Sequence, residues 1–116
     1  MDELEKSMRK CLANTFVMYF KTHGFHWNVE GASFPQLHAL FEKIYDDIYD
    51  GIDTFAEQLR ALQLYTPASL QKFSMLTQVE DEDDVPAERD MVAELLADSE
   101  KMANLFKITY EMAEKM

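Results

Sequence analysis

Residues 34–63 read FPQLHALFEKIYDDIYDGIDTFAEQLRALQ. Within them Leu37, Phe41, Ile44, Ile48, Ile52, Phe55, Leu59 and Leu62 follow one another at intervals of three or four. That spacing brings an apolar side chain back to the same side of a helix at every turn, which a strand, with its period of two, would not do. The stretch predicts one long amphipathic helix over about 34–63. Ser33-Phe34-Pro35-Gln36 reads as its start: Ser33 can cap, Pro35 suits the first turn, and Gln36 can close a capping box. Gly51, inside the helix, carries a modest helical cost and permits close approach of a neighbour.

The chain on either side extends the pattern. Asp2 and Glu5 form a D-x-x-E start signal, and Leu4, Met8, Cys11, Leu12, Phe16 and Tyr19 continue at helical spacing. A first helix is predicted from residue 3 to about Asn28, with Gly31 just past its end. Thr66-Pro67 restarts the chain as a short helix to about Phe73. Residues 77–85 read as an acidic linker centred on Glu80-Asp81-Glu82-Asp83-Asp84, most simply a solvated loop. Asp84 and Pro86 then open a third long helix, marked by Met91, Leu95, Met102, Leu105 and Met112 and running to the last residue. The prediction is an all-α bundle in a single domain, 1–116: three long helices, with a short one between the second and third.

Composition limits what such a bundle does. The chain has 116 residues, with 22 acids against 11 bases, a formal net charge of −11. Hydrophobic residues at 47% supply a core and argue against disorder. A single cysteine, Cys11, excludes an internal disulfide and fits a small core position. No apolar run is long enough for a membrane span, and the charged start does not resemble a signal peptide, so a soluble cytoplasmic protein is expected. The acidic balance disfavours direct DNA binding, which needs clustered Lys and Arg.

The chemistry concentrates in one region. His23, His26 and His38 are the only histidines, and the second helix carries Glu42, Asp46, Asp47, Asp50, Asp53 and Glu57. Imidazole plus carboxylate suits Fe, Mn or Zn. At 100° per residue, Glu42 lies about 40° and Asp53 about 60° around the helix from His38, with Glu57 about 40° from Asp53. Yet Asp53 is about 22 Å along the axis from His38, far more than metal–ligand bonds of about 2 Å can span. An antiparallel copy of the helix from a second subunit removes the difficulty. Facing residues then have numbers of constant sum, and His38 with Glu57 and Glu42 with Asp53 both give 95. The rule permits two equivalent sites in an isologous dimer and does not prove them. Taken singly, each carboxylate is more simply a solvated surface acid, His38 a surface or capping residue, and His23 a residue that packs or hydrogen-bonds nearby.

The string His26-Trp27-Asn28-Val29-Glu30-Gly31-Ala32-Ser33-Phe34, followed by Leu37-His38, Phe41-Glu42 and Asp53-Thr54-Phe55-Ala56-Glu57, strongly resembles the Dps family, the DNA-protection-during-starvation miniferritins. The resemblance covers roughly residues 5–115. It implies a ferritin-like subunit with a short helix between the second and third long helices. It also implies a hollow dodecamer with iron-oxidation sites at two-fold interfaces. By the same resemblance His26 and His38 are metal ligands from one subunit, with Asp53 and Glu57 from its mate. Glu42 stands where the family usually has Asp, and its longer arm bears on the second iron position. Trp27 matches the family's tryptophan beside the site, a catalytic candidate for absorbing oxidising equivalents; the plain alternative is packing between helices. The Glu-x-x-His pairs of ordinary ferritins and the zinc-hydrolase H-E-x-x-H are both absent.

The sequence departs from the family in ending where a fourth long helix would follow. Three amphipathic helices leave an apolar groove that a partner's helix would have to cover. A Lys-rich tail is also missing; near the start there are only Lys6, Arg9 and Lys10. The expected function is an iron (Fe2+/Fe3+) ferroxidase using hydrogen peroxide or oxygen, with Zn or Mn able to substitute, in a homo-oligomer that is at least a dimer. The alternative is a non-catalytic, dimeric structural or protein-binding module with a weak or structural metal site.

Overall fold

The computed structural model describes residues 2–115. Four helices follow in order: α1 (Asp2–Asn28), α2 (Phe34–Ala61), α3 (Leu70–Leu76) and α4 (Glu88–Glu114). The all-α bundle of three long helices and one short one is what the patterning predicts. The predicted continuation of the last helix to Met116 lies outside the described residues.

Helix α1 is the hub, packing against each of the other three. It is buried nearly all round, with Cys11, Leu12, Ala13, Asn14, Met18 and Thr22 all at 1% exposure or less. This is how a helix looks when neighbours cover several of its faces. Helix α2 buries only Phe41 and Leu59 fully. Leu37, Ile44 and Ile48 of its apolar stripe are half-buried against the core of Val17, Met18, Phe25, Met91 and Leu95. Helix α4 turns Met91, Leu95, Met102 and Leu105 inward, and Phe106 stacks on Phe55 of α2, with ring centroids 5.3 Å apart.

Several boundaries differ from expectation. The Ser33 side chain makes no capping hydrogen bond; instead its backbone N–H donates to Glu88 Oε2 at 3.1 Å, tying the α1–α2 turn to the start of α4. The capping box is therefore replaced by a long-range tether. The short helix begins three residues later than predicted and ends at Leu76. The Ser69 hydroxyl caps it by accepting from the Lys72 N–H, while the Thr66 hydroxyl donates to the Ala56 carbonyl. Helix α2 ends at Ala61, because Gln63 adopts φ 64°. The Gln63 and Leu64 N–H groups then bond back to the Arg60 and Leu59 carbonyls, the double closure of a Schellman stop. Helix α4 starts at Glu88 after an extended Ala87, not at Asp84 or Pro86.

The linker is tethered as well as solvated. Most of Glu80–Asp84 is exposed, but Val79 is fully buried. Asn14 Oδ1 accepts from the Gln78 N–H at 2.7 Å and from the Thr77 hydroxyl at 3.0 Å. Lys21, almost fully buried, donates to Asp98 at 2.8 Å, Glu94 at 3.0 Å and the Glu80 carbonyl at 3.0 Å. Among the described residues no helix is long and apolar enough to cross a membrane.

Candidate metal centre

The last turns of α1 and the first of α2 bring His26 and His38 together. Their rings stack with centroids 3.8 Å apart and planes 16° from parallel. His26 Nδ1 lies 2.7 Å from the His38 carbonyl, and His38 Nδ1 lies 2.8 Å from the His26 carbonyl. A carbonyl oxygen only accepts, so each Nδ1 carries the proton. In the neutral rings both Nε2 atoms then keep their lone pairs. Fixing the tautomer through a backbone carbonyl is how proteins commonly orient metal-binding imidazoles. The two hydrogen bonds are reciprocal, so neither ring can turn without breaking a contact to the other's backbone.

Glu42, one turn beyond His38, places Oε1 3.9 Å from His26 Nε2. The gap is too long for a hydrogen bond and shorter than two metal–ligand bonds of roughly 2.1 Å laid end to end. Asp53 and Glu57 are exposed, further along α2. Among the described residues no group of three or more His, Cys, Asp or Glu side chains is arranged to hold a metal ion. His26 is buried, His38 half-buried and Glu42 exposed, at the edge of the acidic surface of α2.

An aromatic cluster backs this pair. His23 stacks on Tyr45 at 3.9 Å and lies 4.3 Å from Trp27, centroid to centroid. The Tyr19 hydroxyl sits 3.0 Å from His23 Nδ1. His23 thus packs and hydrogen-bonds beside the His26–His38 pair. Desolvation, then the neighbouring charge of His26, holds its pKa below the usual histidine value, against a smaller opposing effect of Asp46. Desolvation and the nearby Glu42 and Asp46 carboxylates raise that of Tyr45. Trp27 is 58% exposed, so it rests against His23 instead of packing between helices. In the sequence Tyr19 reads only as part of the first helix's apolar stripe, and Tyr45 carries no signal. The spacing of Tyr19, His23 and Trp27, four residues apart each, is the signal that places one ring above the next on α1.

Comparison with known proteins gives this arrangement a family. A ferritin-like domain matches residues 5–116. A DNA protection during starvation protein of Helicobacter pylori is 33% identical over 104 residues, 89% of this chain and 72% of that protein. The chain belongs to the Dps family of ferritin-like proteins. A Dps protein of Vibrio cholerae, described as a member of a broad superfamily of ferritin-like diiron-carboxylate proteins, superposes on it with a TM-score of 0.93 at 29% identity, covering 98% of this chain and 72% of that one. An uncharacterized low temperature-induced protein of Nostoc is 38% identical over 92 residues, 78% of this Dps-family chain. The match spans about half of that relative's length (51%).

Proposed function

We propose that this chain is a Dps-like ferroxidase that takes Fe(II) as substrate at a site shared across a two-fold dimer interface. His26, His38 and Glu42 come from one subunit, and Asp53 and Glu57 from its mate. The oxidant is hydrogen peroxide or oxygen, and the outcome is iron sequestration and protection against oxidative stress in the cytoplasm. The observation that carries this reading is the reciprocal His26–His38 pair, which leaves two Nε2 lone pairs available beside Glu42. The carboxylates favour the rising charge from Fe(II) to Fe(III), and the neutral imidazoles complete the ligand set. Zn or Mn fits the same donors. The exposure of Asp53 and Glu57 on α2 agrees with their facing a second subunit. Trp27, beside His23 and open to solvent, is suited to absorb an oxidising equivalent. Residues 1–116 act as one domain within a homo-oligomer, a dimer at least and a dodecamer where the cage forms. DNA is not a direct partner, because the net charge of −11 opposes phosphate contacts.

The test is Fe(II) oxidation with hydrogen peroxide by wild type, His38→Ala and Asp53→Ala. Both variants are expected to lose most of the rate, and equal rates in all three proteins would overturn the assignment.

A second reading is a dimeric protein-binding module with a weak or structural metal site. It draws on a groove of about 480 Å³ between the ends of α1, α2 and α4, lined by apolar groups such as Leu4, Met8, Phe55, Leu62 and Phe106. Light scattering separates the two: a dodecamer supports the cage, a dimer or monomer the module.

A further inference from the structure

Tyr19, His23 and Trp27 occupy successive turns of α1 and meet at the His23 ring. Trp27 lies 4.3 Å from it, and the Tyr19 hydroxyl 3.0 Å from its Nδ1. On its far side Tyr19 contacts Tyr49 at 5.1 Å. The chain has one tryptophan, and it is the exposed member of the stack, whereas Tyr19 is half-buried. A phenol gives up an electron readily only if its proton leaves as well, because the oxidised phenol is a strong acid. A hydrogen-bonded base in place before the electron moves removes that obstacle.

We propose that Tyr19 and His23 form a proton-coupled oxidation site that re-reduces oxidised Trp27 and stores the oxidising equivalent on a sheltered phenoxyl. In the Nε2–H tautomer of His23, the Tyr19 hydroxyl donates to Nδ1. The step moves one electron from Tyr19 to the neutral indolyl radical of Trp27, which also takes a proton from water. The Tyr19 O–H bond breaks, and its proton forms a new N–H bond at His23 Nδ1. Tyr19 is oxidised, Trp27 is reduced, and no bond between heavy atoms changes. The primary oxidant is a one-electron oxidant of the hydroxyl-radical class, formed where Fe(II) meets hydrogen peroxide at the adjacent histidines. That source rests on the ferroxidase reading above, whereas the relay does not.

The relay is therefore tested without iron. Pulse radiolysis with the azide radical oxidises Trp27 in the full chain, and absorbance follows the indolyl band as it decays and the phenoxyl band as it grows. Wild type is expected to show coupled decay and growth. Tyr19→Phe, which removes only the hydroxyl, and His23→Phe, which keeps a stacking ring and loses the acceptor, are each expected to slow that step by about tenfold or more. Tyr65→Phe, on an exposed and distant phenol, is expected to match wild type. A wild-type protein with no transfer, or a Tyr19→Phe protein as fast as wild type, would overturn the relay. A second arm adds hydrogen peroxide to Fe(II)-treated protein and reads the frozen sample by electron paramagnetic resonance. A phenoxyl signal lost in Tyr19→Phe supports the whole sequence. Transfer in radiolysis with no such signal upholds the relay and rejects iron as the source of its oxidant.

Discussion

Lys21 is a cation held almost out of water, with its side chain 4% exposed, and Asp98, at 6%, holds it from α4. Burial favours the neutral amine, but the bonds to Asp98 and Glu94 outweigh it and leave the pKa above the usual lysine value. The sign follows for Lys21: the stability linked to its raised pKa is fully present below the usual lysine value and is lost as pH rises through the raised one. Removing one partner strands the other. Lys21→Met is expected to destabilise the chain by about 3–5 kcal/mol in denaturant unfolding, and Lys21→Met with Asp98→Leu to recover much of that loss. Gly31 is the other residue with a strict demand, at φ 123°. A Cβ there would lie 2.7 Å from Glu88 Oε2, the atom that accepts from Ser33. Gly31→Ala is expected to cost roughly 1–3 kcal/mol and to loosen the turn that carries α1 into the His38 helix. Of these residues only Gly31 was legible in sequence, as a stop after the first helix. Lys21 and Asp98 lie 77 positions apart, and no local pattern links them. Nor does spacing reveal that two histidines hydrogen-bond each other's backbone; the His-Trp-Asn string marked the place but not the geometry.

The three long helices were legible because their apolar stripes are long and regular, so each was placed within a few residues. Their ends were harder, since a cap depends on which partner wins. Ser33 offered a hydroxyl, but Glu88 reached its backbone first. Gln63 carries no stop signal in its chemistry, yet it takes the left-handed position that closes α2. An L side chain pays roughly 1–2 kcal/mol there, so Gln63→Gly is expected to raise unfolding stability by about 1 kcal/mol. Gly51 is the converse case. A Cβ added there would meet Thr15 Cγ2 at 3.8 Å, an ordinary contact, so close packing does not require the glycine. Gly51→Ala is expected to stabilise α2 by about 0.5–1 kcal/mol, read as a higher unfolding midpoint. A loss of stability on that change would place α2 nearer α1 than the fold shows.

At the scale of the whole molecule, α2 is the element with most to gain from a second subunit. It is 28 residues long and fully buries two of them, and its outward face carries Glu42, Asp46, Asp53 and Glu57. The acidity that in composition was only a net charge of −11 becomes, in the fold, a surface that runs from the histidine pair along this helix. In the proposed reading one active site draws on two chains, and subunit mixing tests that sharing. His38→Ala and Asp53→Ala are each purified, unfolded or dissociated, mixed in equal amounts and reassembled, and Fe(II) oxidation is measured against each variant treated alone. Random pairing leaves both residues intact in about a quarter of the sites, one in each mixed dimer. Recovery toward that fraction of the wild-type rate is the expected result; a mixture no more active than the separate variants would contradict a shared site.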